Sequence, residues 1–264
     1  MIKAAVLGSP IAHSLSPLLH KKAYEFLGLP ASYEAIELLP ADADDFFKNA
    51  LRERWTGFSL TMPLKECIFN SGFLIDPVAS RMRSANTLVL QDDNYFAVST
   101  DRTGFMRLFN GVKKERVAII GGGGTARAAL GALDGLSEQI DFLLQTPSRA
   151  DVLRQVAITS SLNFYDMNHS LDDYDLIIST VPAGAGDHLA SRLTSADMTV
   201  CEVLYKPYPT KFLAQAQSIG ARTIDGFDLL VEQALDQISL FSGLSFDQDA
   251  MRDLLIRTSR EFLS

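Results

Sequence analysis

Short apolar runs alternate with helical patterns along nearly the whole chain. Residues 3–7 predict a strand, and residues 17–27 a helix opened by Ser16 as N-cap. A second strand follows at 32–38. Residues 41–51 then predict a helix with acids in its first turn, where the macrodipole favours them. Residues 58–60 are short and extended, and residues 87–90 and 95–98 flank Gln91-Asp92-Asp93-Asn94, a hairpin turn by composition. A helical pattern over 102–110 ends at Asn110-Gly111. From there the pattern restarts. Residues 116–120 are an apolar strand of the buried parallel type, followed by a glycine-rich turn and a helix. Strands at 140–144, 176–179 and 200–204 and a helix at 149–156 continue the alternation expected of a parallel sheet covered on both faces. Phe227, Leu230, Val231, Ala234, Leu235, Ile238 and Phe241 then form one helical stripe, which Ser242-Gly243 ends. Asp247 is placed to cap a final helix. The domain boundary is expected near Asp101-Arg102.

Composition narrows the classes of function. The 264 residues are 47% hydrophobic and 21% charged, enough for a core of ordinary size. A net charge of −8 argues against nucleic acid or an anionic membrane as main partner, because both reward clustered Lys and Arg. It leaves room for a small anion in a local basic pocket. Cys67 and Cys201 lie far apart and offer neither a disulfide framework nor metal spacing, as expected of reduced thiols in a cytoplasmic protein. The opening apolar segment is too short for a signal peptide, and no apolar run approaches the ~20 residues of a membrane span.

The turn after residues 116–120 carries chemistry. Gly121, Gly123 and Ala126 match G-x-G-x-x-A directly behind an apolar strand. The first glycine permits the tight turn, the second lets a pyrophosphate approach the backbone, and the alanine lets helix pack on strand. The helix start, with Gly124, then presents N–H groups and a favourable dipole to the anion. An acid at the end of the next strand would select NAD through the ribose 2′-OH. None occurs between Leu143 and Arg149. Arg149 instead suits a 2′-phosphate, with Arg127 as a second candidate, so the lean is to NADP with NAD still open.

In the first half, GSPIAHSLSP (8–17), SLTMPLKE (59–66), SANTLV (84–89) and STDRTGF (99–105) each place polar residues at the end of a short apolar element. Ligands bind at such ends in open α/β sheets. Together the four supply hydroxyls, an amide, a lysine and an aspartate, a set for a small polyhydroxylated acid. Ser14 and Ser16, two apart, would present their hydroxyls from one face of an extended segment.

This combination resembles the shikimate dehydrogenase family over nearly the whole chain. The family's G-x-P-I-x-H-S-x-S-P is complete from Gly8 to Pro17, and its N-V-T-x-P-x-K reads Ser59-Leu60-Thr61-Met62-Pro63-Leu64-Lys65. Its A-x-N-T and N-T-D-x-x-G elements fall at Ser84–Thr87 and Ser99–Gly104, its Y-x-P-x-x-T at Tyr205–Thr210, and its G-x-x-M-L-x-x-Q at Gly226–Gln233. The resemblance implies an α/β protein of two domains. One is an N-terminal α/β substrate-binding and catalytic domain (1–101, rejoined by 240–264). The other is a Rossmann-type NADP-binding domain (102–239), with the active-site cleft between the two. It implies an oxidoreductase of aromatic amino acid biosynthesis, the chorismate pathway, that reversibly reduces 3-dehydroshikimate to shikimate as a monomer or homodimer. Lys65 and Asp101 match the catalytic pair. Ser14, Ser16, Thr61, Asn86, Asp101, Tyr205 and Gln233 match substrate contacts, and Thr146 joins Arg149 in the phosphate clamp. No metal is expected, and His13 is expected to be a structural hydrogen-bonder.

The chain departs from the family pattern at several positions. Ser59 and Ser99 replace asparagines, Lys21 replaces another, Leu229 replaces methionine, and Gln145 stands for one of two clamp arginines. A quinate/shikimate or related cyclitol-acid dehydrogenase using NAD, and a binding module without turnover, are the competing readings. A folate-type dehydrogenase fits the serine pair less well.

Overall fold

The computed structural model describes residues 1–261. The chain forms two compact units, Met1–Asp101 with the segment from Leu230 onward, and Arg102–Leu229.

The first unit holds a mixed six-stranded sheet. Its strands are β1 (Ile2–Gly8), β2 (Ala31–Glu37), β3 (Gly57–Leu60), β4 (Leu74–Ile75), β5 (Thr87–Gln91) and β6 (Asn94–Val98), in the order β2-β1-β3-β5-β6-β4. β1 pairs in parallel with β2 and β3, while β5 runs antiparallel to β3 and β6. The β5–β6 turn is Asp92-Asp93, with Asp92 at φ 53°. Side chains alternate along β1, so Ala5 and Leu7 enter one core and Ala4 and Val6 the other. The first core packs Phe47 of α2 (Ala43–Arg52) on Phe58, Leu60 and Tyr95. The second packs Leu19 of α1 (Ser16–Phe26) with Tyr33, with Val231, Leu235, Ile238 and Phe241, and with Met251 and Leu255.

In the second unit every strand pair is parallel. The strands are β7 (Arg116–Ile120), β8 (Gln139–Leu143), β9 (Ser161–Tyr165), β10 (Leu176–Ser179), β11 (Thr199–Glu202) and β12 (Arg222–Ile224). Their order, β12-β11-β10-β7-β8-β9, is the 3-2-1-4-5-6 order of a dinucleotide-binding sheet, reversing at β7 and β10. The crevice outside that reversal is where such sheets take ligands.

The first three helices after α2 are α3 (Pro77–Met82), α4 (Thr100–Leu108) and α5 (Gly124–Leu133). They are followed by α6 (Arg149–Val156), α7 (Lys211–Ser218), α8 (Gly226–Ser242) and α9 (Gln248–Glu261). The return to the first unit comes at Leu230 rather than 240, because Val231, Ala234 and Leu235 already belong to that unit's core. Asp247 caps α9, accepting from the Asp249 and Ala250 N–H groups. Ser16 is not an N-cap. It is the first residue of α1, and Leu15 before it makes no side-chain cap. Nor is the serine pair on an extended segment. The Ser14 N–H closes a turn on the Ile11 carbonyl, and Ser14 Oγ accepts from the Ser16 N–H at 3.3 Å. Among the described residues no helix is long and apolar enough to cross a membrane, and no cluster of potential ligands is set for a metal ion.

Candidate active site

Two segments of the first unit meet behind Gly8. A Cβ on that residue would stand 2.4 Å from Thr61 Cγ2 and 2.7 Å from the Met62 carbonyl. Only glycine lets the turn carrying Ser14 and Ser16 close on the turn carrying Thr61 and Lys65, and the Ser9 N–H seals the contact on Met62 O at 3.0 Å.

Lys65 lies in a single 3-10 turn, Leu64–Glu66, directly after β3 and anchored by the buried Leu64. Its carbonyl accepts from the Ala85 N–H at 3.1 Å, and its Nζ donates to Asp101 Oδ2 at 2.6 Å. Both side chains are largely withdrawn from solvent, at 17% and 6% exposure. Asp101 sits inside the first turn of α4, not at its cap. The first N–H donors of that helix are met by a neighbour in space instead. Asn86 Oδ1 accepts from the Thr100 and Asp101 N–H groups at 2.6 and 3.3 Å. Asn86 Nδ2 donates to Thr100 Oγ1 at 2.8 Å, Asp101 Oδ1 at 2.9 Å and Gln233 Oε1 at 3.3 Å. Asp101 therefore receives a lysine on one oxygen and an amide on the other. A charge pair this buried is tolerable only with such additional hydrogen bonds.

Ser16 is buried, while Ser14 and Thr61 are half-buried and His13 is exposed. Beneath them lies a polar layer between the sheet and α8. Ser59 Oγ donates to Gln237 Oε1 at 2.7 Å and lies 2.5 Å from the Tyr33 hydroxyl. His20 contacts Gln237 Oε1 at 3.2 Å and Tyr24 at 3.1 Å, and stacks on Tyr33 with ring centres 3.9 Å apart. Complete burial drives the His20 pKa down to about 3, so the ring is neutral.

The second unit supplies a different site. Gly121 has φ 109°, and a Cβ there would meet Thr180 Oγ1 at 2.6 Å. A Cβ on Gly122 would lie 2.9 Å from Arg149 Cβ, so the stem of Arg149 rests against the glycine turn. Gly123 is the N-cap of α5 without a side-chain cap, Gly124 begins the helix, and Ala126 is fully buried. This bare backbone at a helix start, beside an exposed Arg149 and Thr146, fits a dinucleotide carrying an extra phosphate. Arg127 differs from its expected place. It is buried at 3% exposure, whereas Arg149 reaches the surface. Tyr205 is half-buried and packs on Phe227, ring centres 5.7 Å apart. Glu202, at the end of β11, accepts from the Leu204 N–H and the Thr210 hydroxyl. Its burial pushes the carboxyl pKa up to about 7.

Comparison with known proteins decides the family. Residues 6–88 match the family model of the shikimate dehydrogenase substrate binding domain. The shikimate dehydrogenase (NADP(+)) of Exiguobacterium sibiricum is 31% identical over 245 residues, covering 90% of this chain and 92% of that one. The crystal structure of Mycobacterium tuberculosis shikimate dehydrogenase is 32% identical, with a TM-score of 0.86 over 97% of this chain and 98% of the other. The chain belongs to the shikimate dehydrogenase family. The Thermus thermophilus shikimate 5-dehydrogenase, in complex with NADP(H) and shikimate, is 28% identical with a TM-score of 0.85, over 98% of this chain and 100% of that one.

As a shikimate dehydrogenase family member, the chain shows what its departures do. Ser59, where the family motif has asparagine, turns its hydroxyl to Gln237 and Tyr33. Gln145 is exposed beside Thr146 and Arg149, so this turn carries one surface arginine, Arg149. Gln237 and Thr87 belong to the polar layer, although the sequence reading did not single them out. The available signal was a glutamine four residues after Gln233 within an apolar stripe, since a polar residue there has to be buried and paired.

Proposed function

We propose that the protein is an NADP-dependent shikimate dehydrogenase that catalyses the reversible reduction of 3-dehydroshikimate to shikimate. The observation that carries this reading is the Lys65–Asp101 pair at 2.6 Å, gripped by Asn86. Ser14, Ser16 and Thr61 supply hydroxyls for the substrate's carboxylate and ring oxygens. Asn86 and Gln233 supply further polar contacts. In the reducing direction the ketone becomes an alkoxide that needs a proton. Lys65 Nζ donates it and is left as the neutral amine, and Asp101 holds that nitrogen in place. In the oxidising direction the same nitrogen takes the hydroxyl proton. The cofactor, when bound, would supply the hydride as NADPH and take it up as NADP+. The backbone of Gly121, Gly123 and Gly124 would hold its pyrophosphate, with Ala126 keeping α5 close to the sheet. Arg149 with Thr146 would hold the 2′-phosphate. Arg127, being buried, would act by shaping α5.

The test is steady-state oxidation of shikimate and of quinate, each with NADP and with NAD. Turnover confined to shikimate with NADP supports the reading. Comparable kcat/KM with quinate or NAD would move the protein to the broader cyclitol-acid dehydrogenases. Binding of shikimate without cofactor reduction would make it a binding module.

A further inference from the structure

Gln237 is fully buried, four residues after Gln233 and so on the same face of α8. Both glutamines hold Asn86, Gln233 by the side chain and Gln237 by the main chain. Gln233 Oε1 accepts from Asn86 Nδ2. Gln237 Nε2 donates to the Asn86 carbonyl at 3.3 Å and to Thr87 Oγ1 at 2.9 Å. The orientation of the Gln237 amide follows from chemistry. A carbonyl oxygen only accepts, so Nε2 must face Asn86 O and Oε1 must face Ser59 and His20. His20 then carries its proton on Nε2 and accepts a hydrogen bond from the Tyr24 hydroxyl on Nδ1. With the Ser59 proton given to Gln237, the Tyr33 phenol donates to Ser59. One assignment of protons satisfies the whole layer. It runs from Tyr33 through Ser59 and Gln237 to Asn86 and Thr87. From there it reaches Thr100, through Thr87 Oγ1 at 3.1 Å, and Asp101.

We infer that Gln237 is a positioning residue for the catalytic pair. It fixes Asn86 and Thr87, and Asn86 in turn holds the start of α4 and the Asp101 carboxylate against Lys65. Ser59 serves the same end as one of two donors, with His20, that meet Oε1. A hydroxyl suffices at that position because Gln237 reaches across to it from α8. This inference rests on the dehydrogenase reading above.

The test uses two variants of the full chain. Gln237→Met keeps the bulk and removes both halves of the amide. Gln237→Glu keeps the acceptor facing Ser59 and His20 but puts a second acceptor where the donor was. Shikimate oxidation with NADP, measured well below the melting temperature, is expected to lose about tenfold to a hundredfold in kcat in both, with shikimate KM rising less than about threefold. Ser59→Ala is expected to lose less than about threefold, since His20 still sets Oε1. An activity-independent reading comes from the Thr100 and Asp101 amide resonances, whose protons lie on Asn86 Oδ1. They are expected to shift in Gln237→Met, while amides equally far from Gln237 on the α9 side hold still. Wild-type kcat with unmoved Thr100 and Asp101 resonances would overturn the inference and leave the dehydrogenase reading intact. A wild-type enzyme inactive on shikimate would overturn that reading, and the resonances would still decide the role of Gln237. If Gln237→Glu fails to fold, Gln237→Met decides alone.

Discussion

Arg149 and Arg127 have the same charge and opposite circumstances. Arg149 is exposed at the start of α6 with its stem on the glycine turn, and Arg127 is buried in α5. A 2′-phosphate reached by a surface guanidinium gains charge-assisted hydrogen bonds of roughly 1.5–3 kcal/mol, or about one to two powers of ten in affinity. Arg149→Ala should raise the KM for NADP by that factor and leave the KM for NAD within about twofold, read from initial rates with each cofactor. Equal effects on the two cofactors would remove Arg149 from the phosphate. Both arginines are visible in the sequence, but their burial is not. A helix-start arginine reads as surface until packing shows which side of the helix faces the sheet.

Among the elements, the groups proposed to hold substrate depend on two turns being able to touch. Gly8 ends β1, and its missing side chain is what brings the Thr61-Met62 backbone within hydrogen-bonding reach of Ser9. Gly8→Val should push the β1 and β3 turns apart, lowering stability by about 2–4 kcal/mol and raising shikimate KM at least tenfold. Denaturant midpoints and saturation curves check both. A stable variant with native KM would show the contact to be slack. The longer elements were legible from periodicity. Residues 116–120, 149–156 and 176–179 fall where the pattern puts them, because buried parallel strands and amphipathic helices carry strong local signals. β4, β9, β12, α3 and α7 were not expected. They are short or mixed in polarity, and neighbours in space specify them. The candidate site was legible as polar residues at strand ends, and its second layer was not. Ser59, Thr87 and Gln237 act through partners distant in the chain, which spacing cannot reveal.

For the whole molecule, the two units should answer pH in opposite ways. His20 in the first unit has its pKa lowered from 6.5 to about 3. The unfolded chain therefore binds its proton first. The stability this group contributes is complete above about pH 6.5 and is lost as pH falls toward 3. Glu202 in the second unit is raised from 4.5 to about 7 by burial. Its contribution is complete below about pH 4.5 and is lost as pH rises through 7, at most roughly 3 kcal/mol. Glu202→Gln should therefore raise the melting temperature at pH 8 and change it little at pH 5, measured by calorimetry. A gain as large at pH 5 as at pH 8 would contradict a carboxyl held protonated by burial.

The proposed reaction turns on Lys65 moving a proton for a shikimate substrate. The most direct measurement is the rate of NADP reduction with saturating shikimate, for the wild type beside Lys65→Ala, with circular dichroism to show that both are folded. Ready reduction by the wild type is expected, with a kcat lower by about a hundredfold to ten-thousandfold in the variant and shikimate KM changed far less. A folded variant that turns over at the wild-type rate would contradict it.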